Sequence, residues 1–314
     1  MAKAKEITGL DCTADALVWA AEVLRARFDE VAGLRDSALD FSDIEGVHNM
    51  RVATRRLRSA LHDFMSLMSE RPSKRLRKDL KRIADALGAV RDQDVAIVAL
   101  EELQTQAETE LIKEGIEKFL KERSDLREAA LLNLTEAVAV GKLDDLQKRF
   151  GAAIDKTASR KKSKRVVSFS EAGRGITAAG LRDLLDLGAS LHEPFNIEEL
   201  HEMRIAAKRL RYAIELFVVC WGAKIAPFAD EIAEMQSFLG EVHDCDIWIE
   251  SLGGRLRLER ENAAANGSDY QTAAWLLSEF VKKRTKEYRS ALKLWSEWEA
   301  SRFAERMRSM LQTA

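Results

Sequence analysis

A chain of 314 residues, 46% of them hydrophobic and 32% charged, can form one large or two ordinary domains, and this balance suits a folded, soluble protein with much exposed helix surface. Its net charge of −2 excludes a general polycation and shifts attention to how charge is distributed. Three prolines, with Ala, Leu, Glu, Lys and Arg abundant, point to an all-α protein. The N-terminal stretch lacks a signal-peptide pattern, and the longest apolar patch, around Phe217–Trp221, is far too short to span a bilayer.

Residues 13–38 place Leu17, Ala20, Ala21, Leu24, Phe28 and Val31 at helical spacing, which predicts an amphipathic helix with Thr13 near its N-cap. Ser42 or Asp43 then starts a helix that carries VHNMRVATRRLRSALHDF at 47–64, running to about Met68 and stopping before Pro72. At about 100° per residue, with His48 at 0°, Arg51, Arg55 and Arg58 fall within roughly 80° on one side and Arg56 near +80°. Met50, Ala53, Leu57, Ala60, Leu61 and Phe64 gather opposite. Like charges at this spacing repel. No acid relieves them before Asp63, so acids from other helices or a polyanion must do so.

Residues 73–88 form the next helix, with Leu76, Leu80, Ile83 and Leu87 inward and Lys74, Arg77, Lys78, Lys81 and Arg82 on a second cationic face. Gly88 suggests a cap or bend. RDQDV at 91–95 opens a further helix through about Phe119, and residues 119–139 continue helical, with Arg123 and Arg127 one turn apart. Residues 155–175, rich in Lys, Arg, Ser and Gly, read as an exposed linker.

The second half repeats the landmarks. Residues 200–217 read LHEMRIAAKRLRYAIELF, placing His201, Arg204, Lys208, Arg209 and Arg211 on one arc and Met203, Ala206, Leu210, Ala213, Ile214 and Phe217 on the other. Asn196 caps this helix, with Glu199 completing a capping box. Tyr212 lies on the basic arc, where the first copy has Ser59. LGAVRDQDV at 87–95 matches LGEVHDCDI at 239–247, an offset of 152, and Phe119, Lys121, Arg123 and Arg127 match Phe280, Lys282, Arg284 and Arg289. The expected organisation is an internal duplication: a first helical bundle over 13–155, a linker over 156–175 and a second bundle over 176–314. If a pseudo-two-fold relates the halves, both motif faces line one shared groove or channel. One landmark fails to repeat, since APFADEIA at 226–233 replaces the basic helix. The basic surface is therefore expected to favour the first half.

HNMRVATRRLR and HEMRIAAKRLR, each followed by LGxVxDxD, resemble the CHAD family, named for a conserved histidine in an α-helical domain. The resemblance covers most of the chain. It implies two pseudo-symmetric four-helix bundles and a basic groove or pore that binds inorganic polyphosphate, with association to polyphosphate granules. Such domains often accompany a triphosphate-tunnel hydrolase domain; none is apparent, so the chain looks like a stand-alone member.

The chemistry fits that implication. Arginine forks grip phosphate bidentately and lysines act as mobile charges. The candidate ligand set is His48, Arg51, Arg55, Arg56, Arg58, Lys74, Arg77, Lys78, Lys81, Arg82, His201, Arg204, Lys208, Arg209, Arg211, Tyr212, Lys282 and Arg289, with no metal and no cofactor. Asp92, Asp94, Asp244 and Asp246 are read as helix caps or as partners holding arginines, rather than as metal ligands. His48 and His201 either touch phosphate or pack near their helix starts. Cys12, Cys220 and Cys245 lack a metal spacing and read as reduced thiols of a cytoplasmic protein.

Three rival readings stand. RNA could bind the same groove, but only Tyr212 offers a stacking surface on the basic arcs. A metal-dependent phosphohydrolase would need a P-loop, a metal cluster or a partnered nucleophile, and the sequence presents none, so a non-enzyme is expected. A scaffold could satisfy its basic faces internally.

Overall fold

A computed structural model describes residues 7, 9–65, 67–68, 74–158, 166–261 and 267–313. The described residues are all-α, and their one β feature is an isolated bridge between Asp15 and Ser168. The helices are α1 (Ala16–Gly33), α2 (Arg35–Ala38), α3 (Ile44–Phe64), α4 (Lys74–Gln106), α5 (Glu110–Ala137), α6 (Val140–Ala158), α7 (Phe169–Asp186), α8 (Ile197–Trp221), α9 (Ala226–Glu261), α10 (Ser268–Ala300) and α11 (Phe303–Gln312).

Local chemistry explains the starts. Asp15, not Thr13, caps α1 by accepting from the Leu17 N–H at 2.9 Å; Thr13 donates to the Asp11 carboxylate instead. Asp43 caps α3 by accepting from the Glu45 N–H at 2.9 Å. Asn196 accepts from the Glu199 N–H at 3.3 Å, as the capping box requires. The α3 helix ends at Phe64 rather than near Met68, and Pro72 lies outside the described residues. Within the stretch read as linker, 159–165 lie outside the described residues and α7 is helical from Phe169.

The largest departure is at Gly88. The expected cap or bend is absent, because α4 runs unbroken for 33 residues through Gly88 and RDQDV. A mid-helix glycine costs roughly 1 kcal/mol against alanine. Leu87 and Val90, both fully buried, hold the segment in place, and each such side chain contributes about 1.5–3 kcal/mol.

Two compact units partition the chain. The first comprises Met1–Val98, Glu122–Gly175 and Glu215–Cys220; the second comprises Ala99–Lys121, Ile176–Ile214 and Trp221–Ala314. In the first, α1 packs on α3 and α6, and Phe28 meets Phe150 with ring centroids 5.0 Å apart. Phe64, Phe169 and Phe217 form an aromatic cluster. Gly173 on α7 permits it, since a Cβ there would lie 2.6 Å from the Phe217 ring. In the second unit, α9 and α10 pair along their length and Trp248 stacks on Phe280 at 4.8 Å. Trp298 stacks on Phe303 at 4.2 Å where α10 turns into α11. All twelve apolar positions singled out on the two motif helices are buried.

The cysteines do not remain three thiols. Cys12 and Cys220 form a disulfide across a sequence separation of 208, their Cα atoms 5.6 Å apart. Backbone bonds from Phe169 N–H to the Ala14 carbonyl and from Ser170 N–H to the Cys12 carbonyl hold the N-terminal segment at the start of α7. No local spacing could reveal such a pair. Cys245 is a buried thiol whose pKa burial pushes up to about 12, so it stays protonated.

Candidate functional site

Each unit carries a basic face on its own motif helix. In the first unit, His48 and Arg55 lie two turns apart on α3, both half-buried, with Arg51 between them and Arg58 exposed beyond. The His48 Nδ1 and the Arg55 Nε are buried and have no hydrogen-bond partner among the described residues. Arg51 reaches the Asp92 carboxylate on α4 at 3.6 Å, a loose pair. Burial, then the positive charge of Arg91, hold the His48 pKa below its usual value; Glu45 opposes this, and Arg55 and Arg51 add to it. The face therefore keeps a neutral imidazole among guanidinium groups.

Arg56 leaves this face. It is buried and donates to the Glu215 carboxylate at 3.1 Å. Its place at the edge of the helical arc lets it turn inward, where an acid meets it. Lys74, Arg77, Lys78, Lys81 and Arg82 are all exposed along the first turns of α4, as their spacing predicts, and Lys81 pairs with Asp85 at 2.9 Å. Arg82 also lines a cavity of about 180 Å³ with Arg75, Lys142 and Arg149. There Arg149 is held by Asp79 at 2.9 Å and Asp145 at 2.8 Å.

In the second unit, His201 on α8 meets a residue that the sequence reading missed. Its Nδ1 lies 3.2 Å from the Nδ1 of His243 on α9, with ring centroids 4.2 Å apart. Arg204 and Lys208 flank the pair, and the Arg204 Nε passes 3.7 Å from where a Cβ on Gly240 would sit. Burial first, then Arg204 and Lys208, lower the His201 pKa, against Glu202. Burial, then Arg204, His201 and Lys208, lower that of His243 to about 4. The available signal was the replacement of Arg91 by His243 within the repeated stretch, but sequence alone does not say that α9 turns this position toward His201.

Other residues of the second set scatter. Arg211 is buried, its guanidinium 5.0 Å from the Tyr212 ring centroid, and Tyr212 is buried too, with no hydrogen-bond partner for its hydroxyl among the described residues. Neither belongs to the exposed arc, since both side chains are buried. Arg209 is exposed but lines a cavity with Asp183 and Glu202. Lys282 pairs with Glu279 at 2.6 Å on α10, and Arg289 is exposed on the same helix.

The aspartates resolve in favour of one of their two readings. Asp94 is buried and accepts from Arg127 Nε at 2.6 Å. Asp246 is buried and accepts from Arg284 Nε, whose Nη2 also donates to the Pro194 carbonyl at 2.7 Å. They hold arginines and cap nothing, since both lie inside long helices. The same pair thus recurs in each unit, with Arg284 in the role of Arg127; sequence landmarks had set Arg284 against Arg123, which instead donates to Gln93 at 3.5 Å. Among the described residues, no group of three or more His, Cys, Asp or Glu is placed to hold a metal ion, and no helix is long and apolar enough to cross a membrane.

The model of the CHAD domain family matches residues 22–253. The crystal structure of the CHAD domain from the plant Ricinus communis is 22% identical, covers 93% of this chain and 96% of its own, and superposes with a TM-score of 0.73. PptA from Streptomyces chartreusis is 15% identical over 90% of this chain and 100% of its own, with a TM-score of 0.67. At these identities the two structures speak for the fold. No curated protein matches the chain.

Proposed function

The chain belongs to the CHAD domain family, and from that premise we propose that it binds inorganic polyphosphate, without turnover, on the faces built around His48 and His201. The observation that carries this reading is the pair of buried nitrogens on α3, His48 Nδ1 and Arg55 Nε, that have no hydrogen-bond partner among the described residues. A buried polar group left unsatisfied costs about 1–3 kcal/mol. The Arg55 Nε–H is a donor that a phosphate oxygen can satisfy, and the neutral His48 ring supplies a further N–H on the same face. Arg51 and Arg58 extend the same face. In the second unit Arg204 and Lys208 take the corresponding part beside His201. The basic start of α4 adds exposed charge to the first unit.

RNA fits less well. Unpaired bases need aromatic platforms, and Tyr212, the aromatic of the basic arcs, is buried. Turnover also fits less well, because Asp94 and Asp246 are each engaged by an arginine. Association with polyphosphate granules follows from such binding.

The test is a titration of long-chain polyphosphate at several salt concentrations, with RNA as competitor at equal charge concentration. We expect affinity to fall steeply with salt, as counterion release dictates, and RNA to displace polyphosphate weakly. Arg51→Glu with Arg55→Glu should weaken binding about 100-fold or more, since both a donor and the sign of the face change. Unchanged affinity in that variant would favour the scaffold reading. Complete displacement by RNA would favour a nucleic-acid protein, and orthophosphate release with Mg²⁺ or Mn²⁺ would restore the enzyme.

A further inference from the structure

Resting on that reading, we propose that His243 contacts phosphate together with His201, and that the face of the second unit takes up a proton when it binds. The argument begins with the two Nδ1 atoms 3.2 Å apart. A neutral imidazole has one N–H and one lone pair. A hydrogen bond between two Nδ1 atoms therefore fixes opposite tautomers. One ring carries Nδ1–H and leaves its Nε2 bare; the other accepts at Nδ1 and carries Nε2–H. The neutral pair thus offers phosphate one donor and one repelling lone pair.

One proton changes this. Added to the bare Nε2, it makes that ring an imidazolium, leaves the Nδ1–H···Nδ1 bond intact and gives the pair two Nε2–H donors and one positive charge. A second proton would put N–H on both facing Nδ1 atoms and break the bond, so uptake stops at one. The proton comes from solvent and no covalent bond to the ligand forms.

The surroundings favour the neutral pair until an anion arrives. From α8, Arg204 and Lys208 act on both rings, and Glu202 opposes them at His201. On α9, the nearby acids are already engaged by α10: Glu241 with Lys283 at 2.7 Å, and Asp246 with Arg284. Asp244, the neighbour of His243, is half-buried. A polyphosphate lying on Arg204 and Lys208 offsets the charges that hold the rings neutral, and so draws a proton in. The first unit has no such pair. Arg91 stands at the position of His243 and acts on His48, and a guanidinium keeps its charge at every physiological pH.

The experiment is calorimetric titration of the full chain with polyphosphate at pH 6.5, in two buffers of different ionisation enthalpy, which yields protons taken up on binding. Wild-type protein, His243→Arg and His48→Gln are compared, with His243→Asn as a second non-titrating variant and circular dichroism to verify folding. We expect uptake in the wild type, and affinity rising about three- to tenfold from pH 7.5 to 6.0. His243→Arg should lose most of that uptake and bind more tightly at pH 7.5, since it adds permanent charge. His243→Asn should lose the uptake without that gain, and His48→Gln should keep most of it. Binding without proton uptake, or uptake that survives in both His243 variants, would overturn this proposal alone. Failure of the wild type to bind polyphosphate at any pH would overturn the functional reading beneath it.

Discussion

Arg91 in the first unit and His243 in the second stand at the same place in a repeated stretch, each beside the histidine of its motif helix. One is a guanidinium and the other is an imidazole whose pKa burial and neighbouring cations push down to about 4. The first unit also carries exposed Lys74, Arg77, Lys78, Lys81 and Arg82, where the second has APFADEIA at the start of α9. The helix face is common to both, and its completion is not. The same scaffold can thus present a constant positive surface in one unit and a surface whose charge depends on pH and ligand in the other.

The largest effect should come where the units agree. Arg127→Ala and Arg284→Ala each strip the partner from a buried aspartate, and each should cost about 3–5 kcal/mol in urea unfolding. Markedly unequal losses would break the equivalence of the two ion pairs. The next effect should separate the units. Neutralising Lys74, Arg77, Lys78 and Lys81 together should weaken polyphosphate binding by about 10- to 100-fold and flatten its salt dependence, as loss of several phosphate contacts predicts. Arg56→Ala provides the contrast, because it should lower stability by about 1–3 kcal/mol through loss of the buried guanidinium and its bond to Glu215, while leaving the salt slope alone.

The smallest effect concerns stability against pH. His201 and His243 have folded pKa values below the usual 6.5. The unfolded chain therefore binds more protons between about pH 6.5 and 4, and stability falls as pH drops through that window. His243→Asn should recover part of this loss, on the order of 1–2 kcal/mol at pH 4.5 relative to 7.5. An identical pH profile in wild type and variant would remove His243 as a source of the difference between units.

Much of this was legible from residue spacing. The apolar stripes of α3 and α8 and the inward leucines of α4 are buried as their periodicity demands, since a helix has a fixed repeat and a core needs a continuous face. Asp43 and Asn196 were readable as caps because capping is local. What failed was non-local. Arg56 and Arg211 sit at the edges of their arcs, and only a neighbouring helix decides whether such a residue turns in or out. Gly88 reads as a stop until the packing of Leu87 and Val90 is known. His243 became a partner of His201 only through the pairing of two helices about 40 residues apart in sequence. Cys12 and Cys220 needed the same kind of knowledge over a far longer interval.

That disulfide gives the chain a topology that its helices alone do not have. With Cys12 joined to Cys220, the polypeptide is a closed ring of covalent bonds with a linear tail that carries α9, α10 and α11. One cut of the backbone anywhere inside the ring opens it without releasing a fragment. A nicked molecule should migrate as a single species on a non-reducing gel and separate into two after reduction. A cut in the tail yields two pieces under either condition. The His48 face lies wholly within the ring, whereas the His201–His243 pair spans ring and tail, so its two halves are joined only by backbone.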